Sequence, residues 1–266
     1  MSKIKVERSG AVVEVILNRP EKLNAFDHEM LTLFSDEIGQ IARDESVSCV
    51  ILRGEGRCFS VGFDVDRNDT DYHGQRKAYD DWARLRANLD RWLAVWDLPV
   101  PVIAAVHGYC MGGATMLSVC ADITLLSSDA IIGWPSMPLG GGLLSPVSLW
   151  LIGPKKAKEL SYLVGSSLTA AEAHQLGWAN SVVEPEDLIG RARAMSAGIA
   201  KTPRSLLRLK KLAINRVMDV QGFRQAFYFG AEWDAIAHTP ADNEDNLASI
   251  REHGLKEAIR RFREEG

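Results

Sequence analysis

The stretch Pro101–Ala114 (PVIAAVHGYCMGGA) limits the fold of this chain more than any other. Val102 to Val106 is apolar at every position, which predicts a fully buried strand. A glycine-punctuated turn follows, and a helix is expected to start at Met111-Gly112-Gly113. Two glycines at a helix start leave backbone N–H groups bare, with the positive helix end behind them. Such a turn either receives developing negative charge or simply permits close packing.

A second buried strand, Cys49 to Arg53, runs into Gly56-Arg57-Cys58-Phe59-Ser60-Val61-Gly62-Phe63-Asp64. Phe59-Ser60-x-Gly62-x-Asp64, taken with Ala104-Ala105-Val106-x-Gly108-x-x-x-Gly112-Gly113, resembles the two signatures of the crotonase (enoyl-CoA hydratase/isomerase) family. The resemblance starts at Leu17-Asn18-Arg19-Pro20-Glu21-Lys22-Leu23-Asn24-Ala25-Phe26 and continues through Gly177–Val183. It ends in Leu255–Phe262, which is similar to the family's last helix. For the fold it implies an α/β spiral of ββα units followed by helices that pack trimers, stacked in many members as hexamers. On that reading residues 1–200 form the spiral core and 201–266 a C-terminal helical trimerisation region.

The order of elements agrees with an α/β core and a helical C-terminal part. Val12, Val15 and Leu17 predict the second arm of an N-terminal hairpin, and Asn24 to Arg43 has helical periodicity. A long helix from about Lys77 to Trp96 carries Trp82, Leu85, Leu89, Trp92 and Trp96 as one apolar stripe, either core packing or a wall for an acyl chain. Between Asp64 and that helix lies the most loop-like polar stretch of the first half, 66–75. From Glu186 onward the pattern is nearly all helical, broken at Pro203, Gly222, Pro240 and Gly254. Arg204, Arg208, Lys210 and Lys211 alternate with leucines and are expected on a solvated helix face.

Composition removes several classes of function. A net charge of −4 over 266 residues, with no long basic stripe, gives no sign of a nucleic-acid partner. No apolar run approaches the roughly 20 residues needed to cross a bilayer, and Met1–Glu7 lacks an apolar signal core. The four cysteines, Cys49, Cys58, Cys110 and Cys120, show no paired spacing and are expected to be reduced, buried thiols of a cytoplasmic protein. There is no His-Glu-x-x-His, acidic metal loop or zinc spacing, so no metal is implied.

The family resemblance supplies the expected chemistry. It implies an acyl-CoA thioester ligand, with coenzyme A carried as part of the substrate and no further cofactor. The residue after the glycine of the first signature and the second glycine of the pair, here Phe63 and Gly113, would donate backbone N–H groups to the thioester oxygen. Each such donor is typically worth roughly 2.7–4 kcal/mol of barrier. Lys22 and the Ala25 backbone would meet the CoA phosphates and adenine, and Asp64 is expected to fix its loop as a hydrogen-bond acceptor.

Hydratases of the family use two glutamates, and the matching positions here are Met116 and Ser136. A third position, an aspartate in some members, falls on Leu144. Ordinary hydration is therefore doubtful, because a placed acid or base contributes on the order of 10²–10⁴ in rate. Candidate substitutes are the Ser136 hydroxyl and His73, which with Tyr72 lies on the polar loop after Asp64. His107 is expected to be buried and hydrogen-bonded, and Cys110 has no basic neighbour to activate it. Two functions remain: an acyl-CoA enzyme of the enoyl-CoA hydratase/isomerase type, or a catalytically silent thioester binder with the same fold.

Overall fold

The computed structural model describes residues 2–65, 77–134, 137–138, 145–238 and 244–265. Tyr72, His73, Ser136 and Leu144 lie outside the described residues. The strands are β1 (Ile4–Ser9), β2 (Val12–Leu17), β3 (Cys49–Gly54), β4 (Val102–Val106), β5 (Tyr109–Met111), β6 (Ile123–Ser127), β7 (Ile131–Gly133), β8 (Ser167–Thr169) and β9 (Ser181–Val183). The helices are α1 (His28–Arg43), α2 (Ala78–Trp96), α3 (Gly113–Cys120), α4 (Ser145–Tyr162), α5 (Ala170–Leu176), α6 (Leu188–Ile199), α7 (Arg204–Val220), α8 (Phe223–Ala237), α9 (Glu244–His253) and α10 (Leu255–Glu265).

Six strands form one sheet in the order β1-β2-β3-β4-β6-β9, antiparallel only at the β1–β2 hairpin. The continuous apolar runs follow from burial on both faces. Val50, Leu52, Val102, Ala104 and Val106 join the main core under α1 and α2. The alternate residues Cys49, Ile51, Ile103 and Ala105 face Leu188 and Ala192 of α6. A second, three-stranded sheet, β5-β7-β8, stands beyond the end of β4.

Two local expectations change. The helix expected from Asn24 begins at His28, because the Asp27 carboxylate caps it by accepting the Met30 N–H at 2.9 Å. Leu23 and Asn24 instead take left-handed backbone angles, φ 53° and 55°. The turn before Gly112 contains a strand, β5, paired in parallel with β7, so the helix starts at Gly113 and not at Met111. A kink at Gly153 (φ 72°, ψ 162°), just before Pro154, divides α4.

The largest correction concerns α7, whose basic residues are not all solvated. Lys211 is 6% exposed and Asn215 8%, whereas Leu209, Ile214 and Val217 face outward at 62%, 64% and 58%. The cause is the C-terminal end of α2, whose last carbonyls have no partner within the helix. Lys211 Nζ donates to Val95 O and Val100 O, both at 3.2 Å, and Asn215 Nδ2 donates to Trp96 O at 2.9 Å. Lys211 also pairs with Asp122 at 2.7 Å, and the same carboxylate oxygen accepts the Val102 N–H. Polar groups therefore turn inward on α7 because they cap buried carbonyls. Next along the chain, α8 returns to apolar packing, with Phe223 stacked on Trp96 at 4.3 Å. No helix among the described residues is long and apolar enough to cross a membrane.

On the sheet face toward α6, Glu14 of β2 bonds Arg53 at 2.9 Å and Arg193 at 2.5 Å. Burial works to raise the Glu14 carboxyl, but hydrogen bonds and charge from Arg193 and Arg53 outweigh it and hold the carboxyl below its ordinary 4.5. A carboxylate lowered on folding stabilises the fold above its unfolded pKa, and that contribution is lost as pH falls through the folded value. Glu14→Gln is expected to unfold at lower denaturant than the parent at pH 7, with the gap closing below about pH 4. Lys211→Ala, which removes the cation paired with Asp122 and a donor to Val95 O and Val100 O, is expected to cost about 3–5 kcal/mol in denaturant unfolding.

Candidate active site

At the ends of β3 and β4 the chain continues as two loops that pair with each other. Phe59 N donates to His107 O at 2.8 Å, Ser60 N to Tyr109 O at 3.0 Å, and Met111 N to Ser60 O at 3.0 Å. This ladder lays Gly62 directly against the start of α3. A Cβ at Gly62 would lie 2.7 Å from Met111 O and 2.8 Å from Gly113 N, and its φ of +91° also demands glycine. Gly112, the residue before α3, has φ 53° and ψ −126°, a conformation open in practice only to glycine.

Phe63 is held from its other edge. Phe26 N donates to Gly62 O at 2.8 Å, and Asp64 N donates to Phe26 O at 3.0 Å. In a parallel bridge of this kind the residue between those two partners turns its own N–H and C=O to the opposite edge. The Phe63 N–H therefore faces away from Phe26. Neither it nor the Gly113 N–H, the first of α3, has an acceptor among the described residues. Two bare N–H groups on adjoining loops, one at a helix N-terminus, favour a ligand oxygen on which negative charge develops.

The Phe63 ring completes the contact. Its Cε2 and Cδ2 atoms lie 2.6 and 2.8 Å from where a Gly113 Cβ would stand. On the other side it stacks on Trp92, with centroids 5.9 Å apart and planes at 21°. Trp92 is wholly buried and packs edge-on against Phe26 at 4.9 Å and Phe34 at 5.6 Å. The tryptophan stripe of α2 is thus mainly core, with one member forming the wall behind Phe63.

The sequence reading assigned no role to Asn24, which proves central to the site. Its buried side chain accepts the Arg19 N–H and donates to the carbonyls of Glu55, Cys58 and Phe59 at 2.9, 2.9 and 3.2 Å. Its own carbonyl accepts the Ser60 hydroxyl at 2.7 Å, and that hydroxyl accepts the Gly62 N–H. A polar residue flanked by Leu23 and Ala25 just before a helix was the available signal, though its left-handed backbone was not legible. Arg19 bonds Asp64 at 2.5 Å and the Ala25 carbonyl at 3.0 Å. Asp64 therefore sits in an ion pair beside the loop. The side chain of Lys22 is exposed at the end of the turn Pro20–Lys22, and Ala25 N donates to Lys22 O.

Met116 lies fully buried in the main core, and no residue of α3 is a carboxylate. Trp134 is 5% exposed and packs edge-on against Trp178. His107 is half-buried, with Nε2 at 3.0 Å from Gly56 O. Burial pushes the Cys58 thiol up to about 11 and the Cys110 thiol higher still, so neither supplies a thiolate near neutral pH. Two surface concavities, one beside Glu14 and Arg193 and one between α7 and the ends of α1 and α2, both lie away from Phe63 and Gly113. Asn24→Ala strips three loop carbonyls of their donor. Thermal unfolding is expected to show a loss of about 2–3 kcal/mol, with the amides of 58–63 exchanging faster than in the parent.

Comparison with known proteins bears on this arrangement. The enoyl-CoA hydratase/isomerase family model matches residues 7–253. A short-chain-enoyl-CoA hydratase of Clostridium acetobutylicum is 31% identical over 259 residues, 95% of each chain. An enoyl-CoA hydratase/isomerase of Xanthobacter autotrophicus superposes with a TM-score of 0.90 at 33% identity, over 97% of this chain and 96% of the other. An enoyl-CoA hydratase of Mycobacterium smegmatis superposes with a TM-score of 0.89 at 26% identity, over 98% and 93%. The fold is that of the crotonases, and by this near-complete match the chain belongs to the enoyl-CoA hydratase/isomerase family.

Proposed function

We propose that the chain is an acyl-CoA enzyme which holds the thioester oxygen between the Phe63 and Gly113 N–H groups and stabilises an enolate or tetrahedral oxyanion there. The observation that carries this reading is the pairing of the two loops, which leaves the Phe63 and Gly113 N–H groups on adjoining segments without acceptors among the described residues. Family membership supplies the thioester. Lys22 and the Ala25 backbone would meet coenzyme A, bound as part of the substrate, with no additional cofactor. Asp64 acts on the site through Arg19 and the loop, not on the substrate.

Met116 takes the place expected of one acid or base, and Ser136 of the other. The favoured reactions are therefore those that need the oxyanion more than two carboxylates: decarboxylation, thioester hydrolysis, carbon–carbon bond making or breaking, or hydration with Ser136 or His73 moving the proton. The same replacement favours a second reading, a catalytically silent thioester binder, because α3 presents Met116 and no carboxylate. The working form would be a homotrimer or hexamer in the cytoplasm. Exposed apolar side chains on the helices after residue 200, including Val220 at 89% and Trp233 at 60%, suit burial against further copies.

The test is product mass after incubation with short enoyl-, long enoyl-, malonyl-, β-ketoacyl- and aryl-CoA thioesters. Phe63→Pro, checked for folding, removes one donor and is expected to lower turnover about 10²–10³-fold. Binding without any product in the parent would favour the silent reading. Absence of binding to every thioester would overturn both.

A further inference from the structure

We infer that the Phe63 side chain, distinct from its N–H, is a specificity-determining and positioning residue: it closes the α2 side of the site and limits the acyl group admitted beside the thioester. This deepens the thioester reading above and rests on it. The ring stands between two fixed surfaces, the Cα of Gly113 and the face of Trp92. Neither can retreat. Gly113 opens a helix whose every residue is buried, and Trp92 is locked by Phe26 and Phe34. Backbone bonds on both sides of Phe63, to Phe26 through Gly62 and Asp64, prevent the ring from swinging away with its loop.

One residue therefore does two physically separate things. Its N–H faces the ligand oxygen, and its ring fills the space through which an acyl chain would otherwise run over Gly113 toward Trp92. The ring is only half-buried. A small side chain at 63 would keep the donor and open an apolar slot floored by Trp92. The acyl class that fits the parent is short, or flat enough to pass the ring edge. A long flexible alkyl chain meets the ring.

The test measures calorimetric affinity for butyryl-CoA and octanoyl-CoA in the parent, Phe63→Ala and Phe63→Leu. The expected result is a parent preference for butyryl-CoA. Phe63→Ala should shift the octanoyl-to-butyryl affinity ratio by about tenfold or more toward octanoyl, as pocket space for added methylenes does elsewhere. Phe63→Leu, which refills most of the space, should shift it less. If Phe63→Ala does not fold, Phe63→Val serves in its place with the same expected direction. A purely structural role would lower stability and leave the ratio alone, so an unchanged ratio in a folded variant overturns the inference. If the parent binds neither thioester, the thioester reading itself falls and this inference falls with it. Selective binding by the parent with no shift in the variants overturns only the inference about Phe63.

Discussion

One side-chain amide holds three loop carbonyls at the end of β3. Glu55, Cys58 and Phe59 would otherwise present buried or half-buried oxygens with no donor, each a cost of about 1–3 kcal/mol. Asn24 meets all of them, and to do so the chain at 23–24 adopts left-handed angles that a β-branched residue would resist. With that segment fixed, Phe26 forms its bridge to Phe63, Ser60 bonds Asn24, and the loop from β3 lies in register against the loop from β4. The placement of the Phe63 and Gly113 N–H groups, which have no acceptor among the described residues, is a consequence of this fastening. Rigid placement is what such donors require, since they stabilise charge only if they need not reorganise.

The same logic of satisfying backbone groups explains the unusual helix α7. Helical periodicity alone would send its leucines inward and its lysines to water. The carbonyls at and just beyond the end of α2 reverse that preference, because Lys211 donates to Val95 O, Val100 O and Asp122 there and Asn215 donates to Trp96 O. The leucines and valines displaced outward leave α7 with an apolar outer stripe.

How much could be read beforehand depended on how local each determinant is. Val102–Val106 and Cys49–Arg53 were legible as strands because burial on both faces leaves its mark on every residue. The glycines at 62, 112 and 113 were legible because close backbone approach excludes a side chain, and the ladder between the two loops shows how close that approach is. The strand Tyr109–Met111 was not legible, since its support is pairing with segments distant in sequence, β7 on one side and Ser60 on the other. The burial of Lys211 escaped for the same reason: its partners, Val95, Val100 and Asp122, are distant in sequence. Phe63 was recognised for its backbone, but its ring gained meaning only once Trp92 and Gly113 were seen on either side of it.

On the proposed function, the Phe63 and Gly113 N–H groups together receive a thioester oxygen. Isotope-edited infrared spectroscopy of butyryl-CoA labelled with ¹³C at the thioester carbonyl tests this most directly. Two hydrogen bonds from rigid donors polarise the carbonyl, so its stretch should fall to lower wavenumber on binding than in water. The fall should shrink in a folded Phe63→Pro variant. A bound thioester whose carbonyl stretch stays at or above its value in water would contradict the account.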